Sequence, residues 1–248
     1  EPSVFDYRPQ HQCTTGLNFN EPTIDGTIFG PDWWRGDAII TGYSRGKLYR
    51  TKLVHTPSGY VAQNQLIGTM RMMPPDACVS PDHSLTVCAH SGGPDWGSGP
   101  GGNGKLYKIK FADREAPIPS AIWAQSPQEI RIAFDRPLDP AALKDLASKI
   151  VIDGGEFADG AERFESVRPG YAVVARQLHA KRIPIEVLNV QLTADRRMLI
   201  LSTAPHTAAA TYAIALPGLA STSSSTSSSP SPASGGGVRG GGSSGKTV

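Results

Sequence analysis

The stretch Arg45-Gly46-Lys47-Leu48-Tyr49-Arg50-Thr51-Lys52-Leu53 returns 58 residues later as Asn103-Gly104-Lys105-Leu106-Tyr107-Lys108-Ile109-Lys110-Phe111. In both copies apolar and polar residues alternate, the pattern of a half-buried strand. A shorter apolar strand precedes each copy: Asp37-Ala38-Ile39-Ile40-Thr41-Gly42 before the first, Ser84-Leu85-Thr86-Val87-Cys88-Ala89 before the second. The turn signal Ser80-Pro81-Asp82-His83 opens the second. Repeats of roughly 40–50 residues, each a small antiparallel sheet, mark the blades of a β-propeller. The excess length is one inserted loop, placed at Ser91 to Asn103, where Gly and Pro crowd together.

The rest of the chain has a different pattern. Glu129-Ile130-Arg131-Ile132-Ala133-Phe134 alternates strictly, and Arg136-Pro137-Leu138-Asp139-Pro140 then forces a turn. Ala141 to Lys149 is the one expected helix, with Asp139 as N-cap and Pro140 in the first helical position. Strands are expected at Tyr171 to Ala175, Ile185 to Leu192, Met198 to Ser202 and Tyr212 to Leu216, with Asp195-Arg196-Arg197 as a hairpin turn. Short strands at this spacing read as a β-sandwich of about 100 residues. Gly 27 and Pro 21 make up a fifth of the 248 residues, which suits many tight turns. The reading is all-β: terminal propeller blades over 1–115, an Ig-like sandwich over 116–219, and a disordered tail or linker over 220–248. In that tail 29 residues hold 11 Ser and 7 Gly with no Asp or Glu, too little apolar surface to offset the entropy of ordering. Two tail residues, Arg239 and Lys246, account for the whole net charge of +2 and leave the β body neutral.

Composition also excludes functions. A neutral body offers no electrostatic footprint for nucleic acid, and no run approaches the roughly 18 apolar residues of a membrane-spanning helix. Gly240 to Thr247 matches the letters of a phosphate-binding loop. Such a loop needs a strand before it and a helix after it, and a Ser/Gly tail supplies neither. The near match from Gly99 to Lys105 ends in Leu106, without the magnesium-binding hydroxyl. The histidines His11, His55, His83, His90, His179 and His206 are scattered, so no zinc spacing exists, and no metal ligands are assigned. Cys13, Cys78 and Cys88 form no C-x-x-C; Cys78 and Cys88 can pair across neighbouring strands, but are read as buried free thiols. The chain opens on Glu1, which reads as a fragment or a processed chain, and its first twenty residues hold no signal-peptide pattern.

Longer motifs carry a family resemblance. They are Asn18-Phe19-Asn20-Glu21-Pro22, Trp33-Trp34-Arg35-Gly36-Asp37, Ser44 to Leu53, Gly59-Tyr60-Val61-Ala62-Gln63-Asn64-Gln65, Asp76-Ala77-Cys78-Val79-Ser80-Pro81, and His90-Ser91-Gly92-Gly93-Pro94-Asp95-Trp96-Gly97-Ser98-Gly99. Together they resemble the membrane-bound dehydrogenases of planctomycete-type bacteria, secreted or envelope proteins with a glucose/sorbosone-dehydrogenase-like propeller often joined to a cytochrome c module. The resemblance covers Glu1 to Phe111, and 116–219 looks like the Ig-like domain that follows there. It implies a periplasmic, extracellular or envelope location. It also implies a sugar or alcohol substrate, pyrroloquinoline quinone with Ca²⁺, and electrons passed to a quinone or to haem c on a module outside this chain. The catalytic His and most Ca²⁺ ligands of that group belong to earlier blades, so this chain alone is expected to be inactive. Two positions depart from the pattern. Ser44 stands where the quinone enzymes carry a cofactor-contacting Lys before Arg-Gly, and Met72-Met73-Pro74-Pro75 stands where two Arg precede the Asp.

The site candidates follow from the same segments. His90 is a candidate general base, with Asp95 as its orienting partner or as a metal ligand, and Trp96 as an apolar platform for a sugar ring. The competing reading is a rigid loop that packs Trp96 over the blade. Arg45 and Asp76 are candidate cofactor contacts, as an inward-facing ion pair or else as turn residues tying strands together. Trp33 and Trp34 can stack on carbohydrate, though adjacent residues of a strand face opposite ways and leave one for the core. Asp135, Asp139 and Asp153 lack the dense spacing of a calcium loop and read as turn residues. The alternative to an enzyme is a non-catalytic carbohydrate- or protein-binding module.

Overall fold

The computed structural model describes residues 13–24, 26–57, 59–91, 102–158, 172–206 and 212–219. Asp95, Trp96, the match at Gly240 to Thr247 and the whole tail lie outside these residues. So does Tyr171. The described chain is mostly β-strand, arranged in antiparallel sheets with few helices. Among the described residues no helix is long and apolar enough to cross a membrane.

The repeat becomes two meanders. β1 (Thr14–Phe19), β2 (Ala38–Gly42), β3 (Lys47–Thr56) and β4 (Gly59–Thr69) form one sheet in chain order. β5 (Met73–Val79), β6 (Leu85–His90) and β7 (Lys105–Ile109) form the second. β3 and β7 are the two copies of the motif, and each pairs antiparallel with the short strand expected before it. The sheets face each other. Ile39 and Leu48 of the first meet Ala77, Leu85, Val87 and the half-buried Tyr107 of the second in one cluster with Phe29 and Trp34.

Alternation fails in the first copy. Lys47 to Thr51 are buried without exception, because β3 lies between two strands and is covered on both faces. Trp33 and Trp34 also differ from expectation. They occupy a 3-10 turn, Asp32–Trp34, rather than a strand, and both side chains turn towards Arg50. Asn20 holds that turn: its Nδ2 donates to the carbonyls of Phe29 and Trp34, and its Oδ1 accepts from Phe29 N–H at 2.9 Å.

The second core is separate. β8 (Pro119–Ser126), β9 (Glu129–Phe134), β12 (Val187–Leu192) and β13 (Met198–Thr203) form a four-stranded sheet in the order β12-β13-β9-β8. β10 (Val151–Gly154), β11 (Ile183–Ile185) and β14 (Tyr212–Ala215) form a three-stranded one. Ile130, Ile132, Phe134, Leu199 and Leu201 of the first sheet share a cluster with Ile152 and Ile185 of the second. Each such side chain contributes roughly 1.5–3 kcal/mol on leaving water.

Four expectations in this half are corrected. Residues expected as a strand from Tyr171 to Ala175 belong to a helix, α2 (Ala172–Leu178), because Ala175, Arg176, Gln177 and Leu178 continue the segment as good helix formers. The helix expected from Ala141 to Lys149 is split into a 3-10 turn, Pro140–Leu143, and α1 (Leu146–Lys149). The break is Asp145, whose φ of 56° is left-handed. Asp139 does cap the turn, accepting from Ala141 N–H at 2.9 Å. The single strand expected from Ile185 to Leu192 changes sheets at Glu186: β11 pairs with β10, and β12 with β13. Asp153, expected in a turn, lies within β10.

Glycine is required at Gly46, between β2 and β3. Its φ is +65°, and a Cβ there would overlap the Met70 carbonyl oxygen, while Met70 N–H donates to Gly46 O at 2.6 Å. Gly26 has φ +75° with open space around it. Both sites carry the left-handed cost of roughly 1–2 kcal/mol for alanine, and only Gly46 adds a clash. Urea unfolding should therefore show Gly46→Ala losing more stability than Gly26→Ala; equal losses would contradict the close packing at Met70.

Candidate functional site

Loops at one end of the first two sheets bring together two of the sequence candidates, Arg45 and His90. The β2–β3 connection is a 3-10 turn, Tyr43–Arg45, closed by Gly46 in the left-handed region. It is pinned by Tyr43 N–H donating to Cys13 O and by Met70 N–H donating to Gly46 O. His90 ends β6 opposite Met73, and its ring lies 6.1 Å from that of Tyr43. Arg45 and His90 therefore reach the same end, joined through Tyr43. The β6–β7 connection also leaves from here, and its described ends are tied by Ser91 Oγ donating to Gly102 O at 2.5 Å. Tyr107 O–H donates to Met72 Sδ at 3.1 Å and anchors the β4–β5 connection to β7.

Burial decides what these groups can do. Arg45 and Lys47 are 1% and 0% exposed, and neither is free of partners. Ser44 is equally buried, and its hydroxyl makes no hydrogen bond of normal geometry. The Cys13 thiol lies beside it; burial pushes that thiol above the usual cysteine value, and Ser44 pulls the other way. His90 is half-buried and keeps an edge towards solvent.

Asp76 is elsewhere. It forms no ion pair with Arg45: its Oδ1 accepts from Asn18 Nδ2 at 2.9 Å and from Ala77 N–H at 2.8 Å, tying β5 to β1. Gly16 permits that approach, since a Cβ there would meet Asp76 Oδ1 at 2.5 Å. Of the two readings of Asp76, the geometry realises the strand tie. The cysteines also depart from expectation. Cys78 is exposed, Cys88 half-buried, and both are free. Among the described residues no group of three His, Cys, Asp or Glu converges as a metal-ligand set.

Sequence reasoning passed over the group around Arg50. Its guanidinium carbon sits 4.4 Å from the ring centre of Trp33 and 4.9 Å from that of Trp34. Nη1 donates to Gln65 Oε1 at 3.0 Å. Nε lies 3.0 Å from Asp37 Oδ2, paired as charges but not aligned as a hydrogen bond. Burial lowers the Arg50 value and raises that of Asp37, in each case against the attraction of the partner. The available signal was the basic residue after Tyr in both copies, Arg50 and Lys108. No family model, curated protein or solved structure matches this chain.

Two titrations and one substitution follow from these contacts. Asp82 Oδ1 accepts from Ser84 Oγ and Oδ2 from Lys108 Nζ, holding its carboxyl at about 2. Carboxyl-detected NMR should show Ser84→Ala moving that midpoint up towards the ordinary 3.8; an unmoved midpoint would rule out the Ser84 bond. Because the Asp37 value is raised, its contribution favours the fold in acid and is lost as pH rises through the folded midpoint. Asp37→Asn should remove that part of the pH dependence of unfolding. Arg50→Lys should cost about 2 kcal/mol in urea unfolding, because an ammonium cannot face two indoles and Gln65 together.

Proposed function

We propose that the chain is the terminal part of a secreted or envelope-bound β-propeller protein of the glucose/sorbosone-dehydrogenase-like type, followed by an Ig-like domain. In the parent, a sugar or alcohol hydroxyl is oxidised and electrons pass to a quinone or a haem module; this chain supplies blade wall and the Arg45–His90 end. The observation that carries the reading is the packing of repeat-related meanders face to face, with Leu48 of one and Tyr107 of the next in a single apolar cluster. Successive blades of a propeller stack in this way. The two-sheet core of β8 to β14 supports the Ig-like part. His90, half-buried at the loop end, remains the candidate base, with Asp95 and Trp96 on the connection that starts one residue later.

The described residues do not fit the quinone that the resemblance implies. A cofactor with several carboxylates needs open cations. Arg45 and Lys47 are buried and engaged within the chain, and the Ser44 hydroxyl has replaced the expected Lys. Asp76 is spent on Asn18 and Ala77 and offers calcium little. Cofactor binding and electron transfer are therefore assigned to parts of the parent outside this chain. That engagement of Asp76 favours a second reading, a non-catalytic module that binds carbohydrate or protein.

The two readings separate experimentally. The parent protein, supplied with quinone and Ca²⁺, should reduce a dye in the presence of at least one sugar of a panel, while this chain alone shows no turnover. An inactive parent, combined with saturable sugar binding by this chain, would replace the first reading with the second.

A further inference from the structure

The two copies of the repeat differ at one edge. β3 pairs with β4 along its whole length, from Lys47 opposite Thr69 to Thr56 opposite Gly59. β7, its repeat-mate, is the last strand of its sheet and pairs only with β6 among the described residues. The segment that follows β7 as β4 follows β3 is β8, and β8 is committed to β9. β7 thus presents backbone N–H and C=O groups on its outer side with no strand among the described residues to take them, the condition for adding a strand.

Side chains around this edge define what it would accept. Leu48 is 1% exposed, and its counterpart Leu106 is 76% exposed. Lys105, Lys108 and Lys110 are all exposed. Lys108 has one carboxylate neighbour, Asp82 at 3.1 Å, in an open pair of the kind that contributes little. A second β7 is a poor occupant: antiparallel self-pairing about Lys108 sets that lysine against itself, and self-pairing about Tyr107 sets Lys108 against Leu106, so neither register brings a carboxylate to Lys108 or Lys110. The internal template gives the register instead. Tyr49 lies opposite Leu66, Arg50 opposite Gln65, and Lys52 opposite Gln63. Transferred to β7, an apolar residue meets Tyr107, and the residues one and three places before it meet Lys108 and Lys110.

We propose that the free edge of β7 is a docking site for an extended acidic segment of another polypeptide. The segment adds as a fourth strand, with two carboxylates facing Lys108 and Lys110 and a leucine-like residue beside Tyr107. This assignment rests on the repeat and the strand pairing, and it holds whether or not the parent is a dehydrogenase.

The probe is a fluorescent eleven-residue peptide of the β4 sequence carrying Gln63→Glu and Gln65→Glu. Titrated into the whole chain, it should bind saturably and protect the amides of Lys105–Ile109 from hydrogen exchange. Lys108→Glu in the protein should weaken it by about tenfold, as expected for a reversed charge pair. A peptide carrying Lys at the Gln65 position should recover binding to that variant. Lys108 is exposed, so the variant should fold normally by circular dichroism. A scrambled peptide binding equally well, protection absent from β7, or no saturable binding would each overturn the proposal. Self-association of the chain through β7 in place of peptide binding would do the same.

Discussion

Arg50 is the point on which the first half of the molecule depends. Its guanidinium is held between two indoles, an aspartate and a glutamine, drawn from two separate stretches of chain. Trp33 and Trp34 belong to the turn before β2, Asp37 to the residue just ahead of that strand, and Gln65 to β4. Trp34 then carries the contact onward to Phe29 and to Phe111, at ring separations of 5.8 and 5.4 Å. A buried cation of this kind is tolerated because its planar faces meet aromatic rings while its edge finds oxygen atoms. The raised Asp37 and lowered Arg50 values show that desolvation outweighs the attraction between them. The indole contacts, together with the charge pair to Asp37, hold the turn against β3.

That arrangement also joins the two halves. Phe111 and Ile118, on either side of the connection, pack against the cluster containing Trp34. Gln63 Oε1 accepts from Ile122 N–H at 3.0 Å, satisfying one outward amide of β8. β4 and β8 are edge strands of different sheets, and here a side chain rather than a ladder spans them. The loop end with Arg45 and His90 is built separately, from turns pinned by Cys13, Gly46 and Met70. Arg45 and Lys47 are sealed within it, while His90 is half-buried.

Much of the strand order was legible because each strand has local punctuation. The turn at Ser80 to His83 forms, with His83 at φ 63°, and the hairpin through Asp195-Arg196-Arg197 forms with Arg196 at φ 57°. Strict alternation in β9 was reliable, since one face of that strand is buried and the other is not. Two of the misreadings share a cause: extended-looking residues do not fix where their backbone goes. Val173 and Val174 suggested a strand because β-branched residues favour extended backbone, a preference that context overrides. The change of sheet at Glu186 left no mark in the alternation, because β11 and β12 keep extended backbone on both sides of it. In the candidate site, Arg45 and His90 could be named from their motifs, whereas the meeting of Tyr43 with His90 could not. Their separation of 47 residues is closed only by the packing of one sheet on the other.

The sequence by itself determined that this chain is built of short antiparallel strands, that two of them repeat, and where most turns lie. These properties are local: they follow from alternation, from Gly and Pro, and from side chains that cap their own backbone. Tertiary structure alone decided which face of each repeat is used. Leu48 and Leu106 occupy the same place in the same motif, yet one is sealed in the seam between sheets and the other stands in solvent. Identical local patterns cannot distinguish a face with a neighbour from a face without one. The same holds for Arg50 and Lys108, where the first is buried against two indoles and the second is exposed beside Asp82.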